Sequence, residues 1–214
     1  MKKSSVEEFY RRLSEASPEP RSELEYRDPF TLLVAVVLSA QATDKSVNKA
    51  TPRLFALAPS PEKMAALGLD GIADCIKTIG LYNAKAKNIL ELSRLLLERH
   101  GGSVPRDRES LEALPGVGRK TANVVLNIAF GQPVIAVDTH IFRLANRTGL
   151  AKGNTANEVA DKLEKATPER YRLHAHHWLI LHGRYVCTAR APKCASCKVA
   201  DLCAWDGKPA ARQN

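Results

Sequence analysis

An all-α fold is what this sequence predicts, and three observations predict it. Apolar residues recur at helical spacing in segment after segment. No stretch alternates apolar and polar residues convincingly enough to read as a strand. Ser, Thr or Asp precede these segments and Gly or Pro follow them, as helix starts and stops require. With 214 residues and 44% hydrophobic composition, the chain can bury a substantial core as one large domain or two small ones.

The elements follow in chain order. Ser5 with Glu8 reads as a capping box for a first helix ending near Ser14, before a linker carrying Pro18 and Pro20. Asp28-Pro29 starts the next helix. Thr31 to Ala40 is apolar nearly all round, which predicts a helix buried in a helical core and too short to span a bilayer. Polar groups then follow abruptly in Ser39-Ala40-Gln41-Ala42-Thr43-Asp44. This is either a functional loop or a place where Thr43 and Asp44 cap a helical stretch from Val47 to Leu57, kinked or restarted at Pro52. Ser60-Pro61 opens a short helix, and Asp70 a further one closed by Gly80. Ile79 to Asn83 is left as an interhelical turn with Leu81 exposed. Asn83 to His100 is a long amphipathic helix with Ile89, Leu92, Leu95 and Leu96 facing in, ended by Gly101-Gly102. Cys75 is a small core residue.

Leu114 to Ala122 is the chain's most distinctive stretch. Asp107 caps a helix with Leu111 and Leu114 on one face, and Pro115 stops it for want of a backbone donor. Gly116 and Gly118 are suited to positive φ, so the chain can reverse in four residues and point successive N–H groups outward, a nest for anions. Val124, Val125, Ile128 and Ala129 then form an apolar helix ending at Gly131 and Pro133, which makes residues 107–130 a helix-hairpin-helix. A nucleotide-binding loop is excluded, because Arg119 separates Gly118 from Lys120 and the preceding segment is helical. With no base-reading side chains, the hairpin suits a nucleic-acid backbone gripped regardless of sequence.

Lys120 falls in the first turn of the second helix, where the helix dipole opposes an ammonium. It is a solvated phosphate contact or a nucleophilic amine, and the second role needs a lost proton. Moving a lysine from about 10.4 to about 7.5 takes roughly 4 kcal/mol, of which a helix terminus supplies at most about 2. Burial and Arg119 would have to supply the rest.

Beyond the hairpin, Val134 to Val137 is an apolar connector into Asp138-Thr139-His140, and Asp138 is placed to cap a helix from Ile141 to Arg147. Capping alone explains an aspartate there. Asn154 and Thr167-Pro168-Glu169 start two more helices, the last running through Tyr171, Trp178 and Tyr185. His174, His176, His177 and His182 lack the carboxylate partner of zinc motifs, so they read as packing or phosphate contacts. Cys187, Cys194, Cys197 and Cys203 lie within 17 residues and will bind a metal. Zinc sites usually pair two C-x2-C knuckles, and this segment has one; an iron–sulfur cluster accepts less regular spacing. Arg190, Lys193 and Lys198 keep the loop basic.

Lys and Arg total 32 against 23 Asp and Glu, a net charge of +9 that favours a polyanionic partner. Met1-Lys2-Lys3 leads into no apolar signal region, and no apolar stretch reaches membrane-spanning length, so an intracellular protein with reduced cysteines is expected. The chain carries no internal repeat or low-complexity segment.

The hairpin, Lys120, Val137-Asp138-Thr139-His140 and the cysteine spacing, in this order, resemble the endonuclease III family of helix-hairpin-helix DNA glycosylases and apurinic-site lyases over nearly the whole chain. The resemblance implies an all-α fold of two domains. Residues 23–132 would form a helical barrel domain, and residues 1–22 with 133–214 a domain holding a [4Fe–4S] cluster on Cys187, Cys194, Cys197 and Cys203. By matching motif, Lys120 is the nucleophile and Asp138 the catalytic carboxylate. Gln41 and Leu81 fill the duplex gap left by a flipped nucleotide, and Gly116, Val117, Gly118, Arg119, Thr121, His140, Arg190 and Lys193 contact DNA.

The implied substrate is double-stranded DNA with oxidised pyrimidines or abasic sites, acted on by a monomer in the bacterial cytoplasm, associated with the nucleoid. Ala191 follows Arg190 where the family often has a basic residue, so this loop has one cation fewer. A monofunctional glycosylase is the enzyme alternative, and Lys120 argues against it. A non-catalytic DNA-binding module is the other, and Lys120 paired with Asp138 argues against that.

Overall fold

The computed structural model describes residues 1–208, and among them every regular element is helical. The chain divides into two compact units: Ser22–Gly131, and Met1–Arg21 together with the chain from Gln132 onward.

The unit of residues 22–131 is built around α2 (Pro29–Leu38), which is buried from Phe30 to Leu38. Asp28 accepts from Thr31 N while the Thr31 hydroxyl answers the backbone of Asp28, a complete capping box ahead of Pro29. A helix apolar on every side needs neighbours all round, and α3 (Asp44–Leu57), α5 (Tyr82–His100) and α7 (Arg119–Phe130) supply them. Thr43, not Asp44, caps α3, accepting from Ser46 N at 3.2 Å. The expected restart at Pro52 is absent: α3 runs through it as one helix, with Val47, Ala50, Thr51, Leu54 and Phe55 held in the core on either side of the one missing donor. α4 (Pro61–Ile76) breaks at Gly68 (φ 72°, ψ 175°), so the expected pair of helices meets there. α5 lies along α4 and closes at Gly101, and α6 (Arg108–Glu112) leads into the hairpin before α7.

The other unit begins with α1 (Lys3–Ala16), whose Val6, Phe9, Tyr10 and Leu13 share one buried face at helical spacing. The Ser5–Glu8 capping box does not form. The helix starts three residues earlier with Lys2 at the N-cap, and Glu8 instead accepts from Arg11 and Arg12 one turn on, where charge-assisted bonds outcompete a serine. The N-terminal ammonium donates to Gly149 O (2.8 Å) and secures the first turn. Phe9 and Tyr10 are fully buried with Ile141, Leu144, Val159, Leu163 and Leu179, each such side chain contributing about 1.5–3 kcal/mol. Tyr10 shares a 2.8 Å hydrogen bond with Thr167 and stacks on Tyr171, and Trp178 Nε1 donates to Ser17 O (2.7 Å).

These contacts draw α1 against α8 (Thr139–Thr148), α9 (Ala156–Ala166) and α10 (Arg172–Tyr185). Thr155, one residue after the expected Asn154, caps α9. Tyr171 is not in the last helix: Pro168 opens a short 3-10 turn, Glu169–Tyr171, before α10 begins.

Candidate functional site

The hairpin is seated from below and open above. Asp107 accepts from Ser110 N (2.8 Å), Leu111 and Leu114 are buried, and Arg108 Nε donates to Asn123 Oδ1 (3.0 Å), joining α6 to α7. Glycine is favoured at 116 on two counts. Its φ is +77°, and a Cβ there would stand 2.8 Å from Asn88 Nδ2 of α5. Gly118 departs from expectation: its φ of −99° and ψ of 178° are extended, as an N-cap should be. Its role is therefore space, since nothing lies within 4 Å of where a Cβ would project and no side chain caps α7. The uncapped first turn presents backbone N–H groups at the positive end of a helix.

Val117 differs from the other expected phosphate contacts. Its side chain is buried and its N–H donates to Leu114 O (3.1 Å), so it seats the turn. Arg119 and Thr121 are half-buried beside the exposed Lys120. The burial that sequence reasoning required at Lys120 is not supplied by this chain, because the residue occupies the outward position of the first turn while Ala122, Val124 and Val125 take the core positions.

Gln41 and Leu81 share an unusual backbone. Among the described residues they are the non-glycine positions in the left-handed region, at φ 53° and 60°. Each costs about 1–2 kcal/mol in that conformation. Leu81 is also 62% exposed, so neither packing nor backbone preference accounts for it. Gln41 is likewise exposed. Strain retained on exposed residues makes these two turns candidates for contact with a ligand.

In the other unit, Asp138 Oδ1 accepts from Ile141 N at 2.8 Å, so the capping role read from the sequence is real. Capping fixes the carboxylate's direction at the helix start and takes one of its oxygens. His140 is half-buried, its Nδ1 3.3 Å from Arg143 Nη2. Gly183 of α10 lets that helix approach closely, since a Cβ there would stand 2.8 Å from His140 O.

The four clustered cysteines line one pocket, walled otherwise by Leu144, Val186, Val199 and Trp205 among others. Among the described residues no three ligating side chains close around a point as a single ion would need. The thiols instead face a wider, largely apolar space. Burial pushes the Cys194 and Cys197 thiols up, and neighbouring cysteine charges push them further, so a cationic group is what would let four thiolates coexist. An iron–sulfur cluster fits this donor set, with Cys187, Cys194, Cys197 and Cys203 holding it. Arg190 and Lys193 are exposed on the same loop.

The histidines pack, as expected. His176, His177 and His182 are buried, and desolvation holds His177 and His182 down at about 4. His182 also lines the cysteine cavity, its Nε2 3.5 Å from Cys197 Sγ.

Three residues escaped sequence reasoning. Arg143 donates to Cys187 O (3.0 Å) and Gly183 O (2.7 Å). Arg147 donates to Thr188 O (2.7 Å) and Ala189 O (2.9 Å) and stacks over Trp205. Their i, i+4 spacing on the helix that Asp138 caps was the available signal. Lys85, buried at 5% exposure on α5, gave none.

No helix among the described residues is long and apolar enough to cross a membrane. The family model of the HhH-GPD superfamily of base excision DNA repair proteins matches residues 34–169, and that of the iron–sulfur binding domain of endonuclease III matches residues 187–203. The chain is 57% identical to endonuclease III of Haemophilus influenzae over 208 residues, covering 97% of this chain and 99% of the relative. Endonuclease III of Escherichia coli strain K12 gives the same identity and coverage. The fold superposes with a TM-score of 0.89 on a trapped endonuclease III–DNA covalent intermediate, at 44% identity, covering 95% of this chain and 96% of that one.

Proposed function

Because this chain belongs to the endonuclease III family, within the HhH-GPD superfamily of base excision DNA repair proteins, we propose that Lys120 and Asp138 carry out the family's reaction and that the hairpin holds the DNA. The protein is a bifunctional glycosylase and abasic-site lyase that removes oxidised pyrimidines and cleaves the strand, and it carries a [4Fe–4S] cluster. Its substrate is double-stranded DNA bearing a damaged base or an abasic site. It works as a monomer in the bacterial cytoplasm, associated with the nucleoid.

One observation carries the residue assignment: the hairpin sets an exposed lysine in the first turn of a helix whose amide end is uncapped and sterically open at Gly118. Gly116, Gly118, Arg119 and Thr121 would grip phosphate there, with Val117 anchoring the turn. Bound DNA, not the protein core, would then shield the Lys120 amine from water.

The reaction follows from the two side chains. As the damaged base departs, C1′ gains positive charge, which the Asp138 carboxylate stabilises while it helps to remove the amine proton. Lys120 Nζ forms a bond to C1′ and the base leaves with the glycosidic electron pair. Ring opening gives an iminium that acidifies the C2′ proton; its loss expels the 3′ phosphate, and water releases the lysine. A related endonuclease III has been trapped as a covalent intermediate with DNA, which supports the same chemistry in this chain. Gln41 and Leu81 would occupy the gap left by the flipped nucleotide, whose unstacking costs a few kcal/mol.

The cluster supplies a structural centre that orders the cysteine loop. Its four cysteine ligands, the basic Arg190 and Lys193, and His140 would set that unit against the backbone.

Incision of defined duplexes tests this reading. A duplex with one abasic site and a panel with single damaged pyrimidines should both be cut. Cleavage of neither would leave a binding module, and base release without strand cleavage a monofunctional glycosylase.

A further inference from the structure

Lys85 is buried in the unit of residues 22–131, and its ammonium donates to Leu38 O at 2.9 Å. Burying an ammonium is expensive, and no carboxylate offsets it here: desolvation alone holds this lysine below its usual range. A methionine or leucine would fill the same space without that cost, so packing does not explain the residue. Its partner does. Leu38 is the last residue of α2, and its carbonyl is one of those a helix end leaves unsatisfied, at the negative end of the helix dipole.

Two strained turns meet at this contact. Three residues beyond Leu38 stands Gln41, held at φ 53° in a turn that Ala42 N closes onto Ser39 O (3.1 Å). On the other side, Lys85 N donates to Leu81 O (3.1 Å), and Leu81 at φ 60° is the N-cap of α5. A single residue is therefore fastened by its backbone to one left-handed position and by its side chain to the helix end that leads into the other.

We propose that Lys85 is a positioning residue that holds the Gln41 and Leu81 turns in register, so that both side chains enter the DNA duplex together when a nucleotide is flipped. This rests on the assignment of Gln41 and Leu81 as gap-filling residues. Lys85 does not touch the reacting atoms; it acts through the two turns.

The test compares Lys85→Met with wild type on two substrates: a duplex with one oxidised thymine, and a single strand with a preformed abasic site that needs no flipping. Single-turnover rates should fall about tenfold or more further on the duplex than on the single strand, the size expected for one charge-assisted hydrogen bond. A fluorescent base analogue opposite the lesion should lose its unstacking signal in parallel. Equal losses on both substrates, or no loss, would overturn the proposal. Should Lys85→Met fail to fold by circular dichroism, Lys85→Leu, which also fills the space without a donor, carries the same comparison. Leu81→Ala and Gln41→Ala run alongside. A duplex-selective loss in those variants but not at Lys85 refutes the positioning role alone, whereas no selective loss in any of them refutes the gap-filling assignment beneath it.

Discussion

Arg147 of α8 reaches the first cysteine of the metal loop: its Nη1 stands 3.7 Å from Cys187 Sγ, and the same nitrogen donates to Thr188 O at 2.7 Å. The last cysteine lies beside the same residue, its Sγ 3.7 Å from Arg147 O. One arginine thus stands at both ends of the cysteine loop and joins its first end to the helix that Asp138 caps.

Replacing Arg147 with Met should keep much of the packing over Trp205 and remove the donors. Charge-assisted bonds to the loop carbonyls are worth roughly 1.5–3 kcal/mol. The variant should unfold several degrees lower and lose its visible iron–sulfur absorbance faster on standing in chelator. Unchanged absorbance decay would show that the cysteines hold the loop without Arg147.

Lys120→Gln keeps length and polarity but removes the amine. An imine to an abasic aldehyde is reducible, so borohydride should crosslink wild-type protein to abasic DNA and fail to crosslink the variant, which still binds. Crosslinking in Lys120→Gln would assign the nucleophile to another amine.

Asp138 has two roles to separate, and asparagine separates them. Asp138→Asn preserves an oxygen for Ile141 N, so thermal stability should match wild type, while Asp138→Ala should cost about 1 kcal/mol as a lost cap. If the charge is catalytic, Asp138→Asn should slow base release about a hundredfold or more. A near wild-type rate would leave capping as its only role.

Stability should fall with acid through a window to which His177 contributes. Burial first, and the neighbouring His174 second, hold its folded pKa at about 4, below the ordinary value of 6.5. The unfolded chain therefore binds the extra proton between those limits. Its contribution is full above pH 6.5 and is lost as pH falls toward 4, at up to about 1.4 kcal/mol per pH unit. Denaturant midpoints measured from pH 7 to 4 should slope less steeply in His177→Gln, and an unchanged slope would exclude this histidine.

By itself the sequence determined the helical class, most helix boundaries, the buried α2, the hairpin and the cysteine loop. Each of these is written locally, in apolar periodicity, in Asp28, Asp107 and Asp138 before helix starts, or in the spacing of like residues. It was misleading where local rules compete with partners elsewhere. Pro52 does not break α3 because the core holds both sides of it, and Ser5 does not cap α1 because Glu8 has arginines within reach. Gly116 and Gly118 look alike in sequence, yet Asn88, from a distant stretch of chain, crowds only the first. Tertiary structure alone decided the exposure of Lys120, the strain at Gln41 and Leu81, and the hydrogen-bond partners of Lys85 and Arg147. A side chain's burial and the carbonyl it finds depend on which distant segments fold against it, and no periodicity within one helix records that.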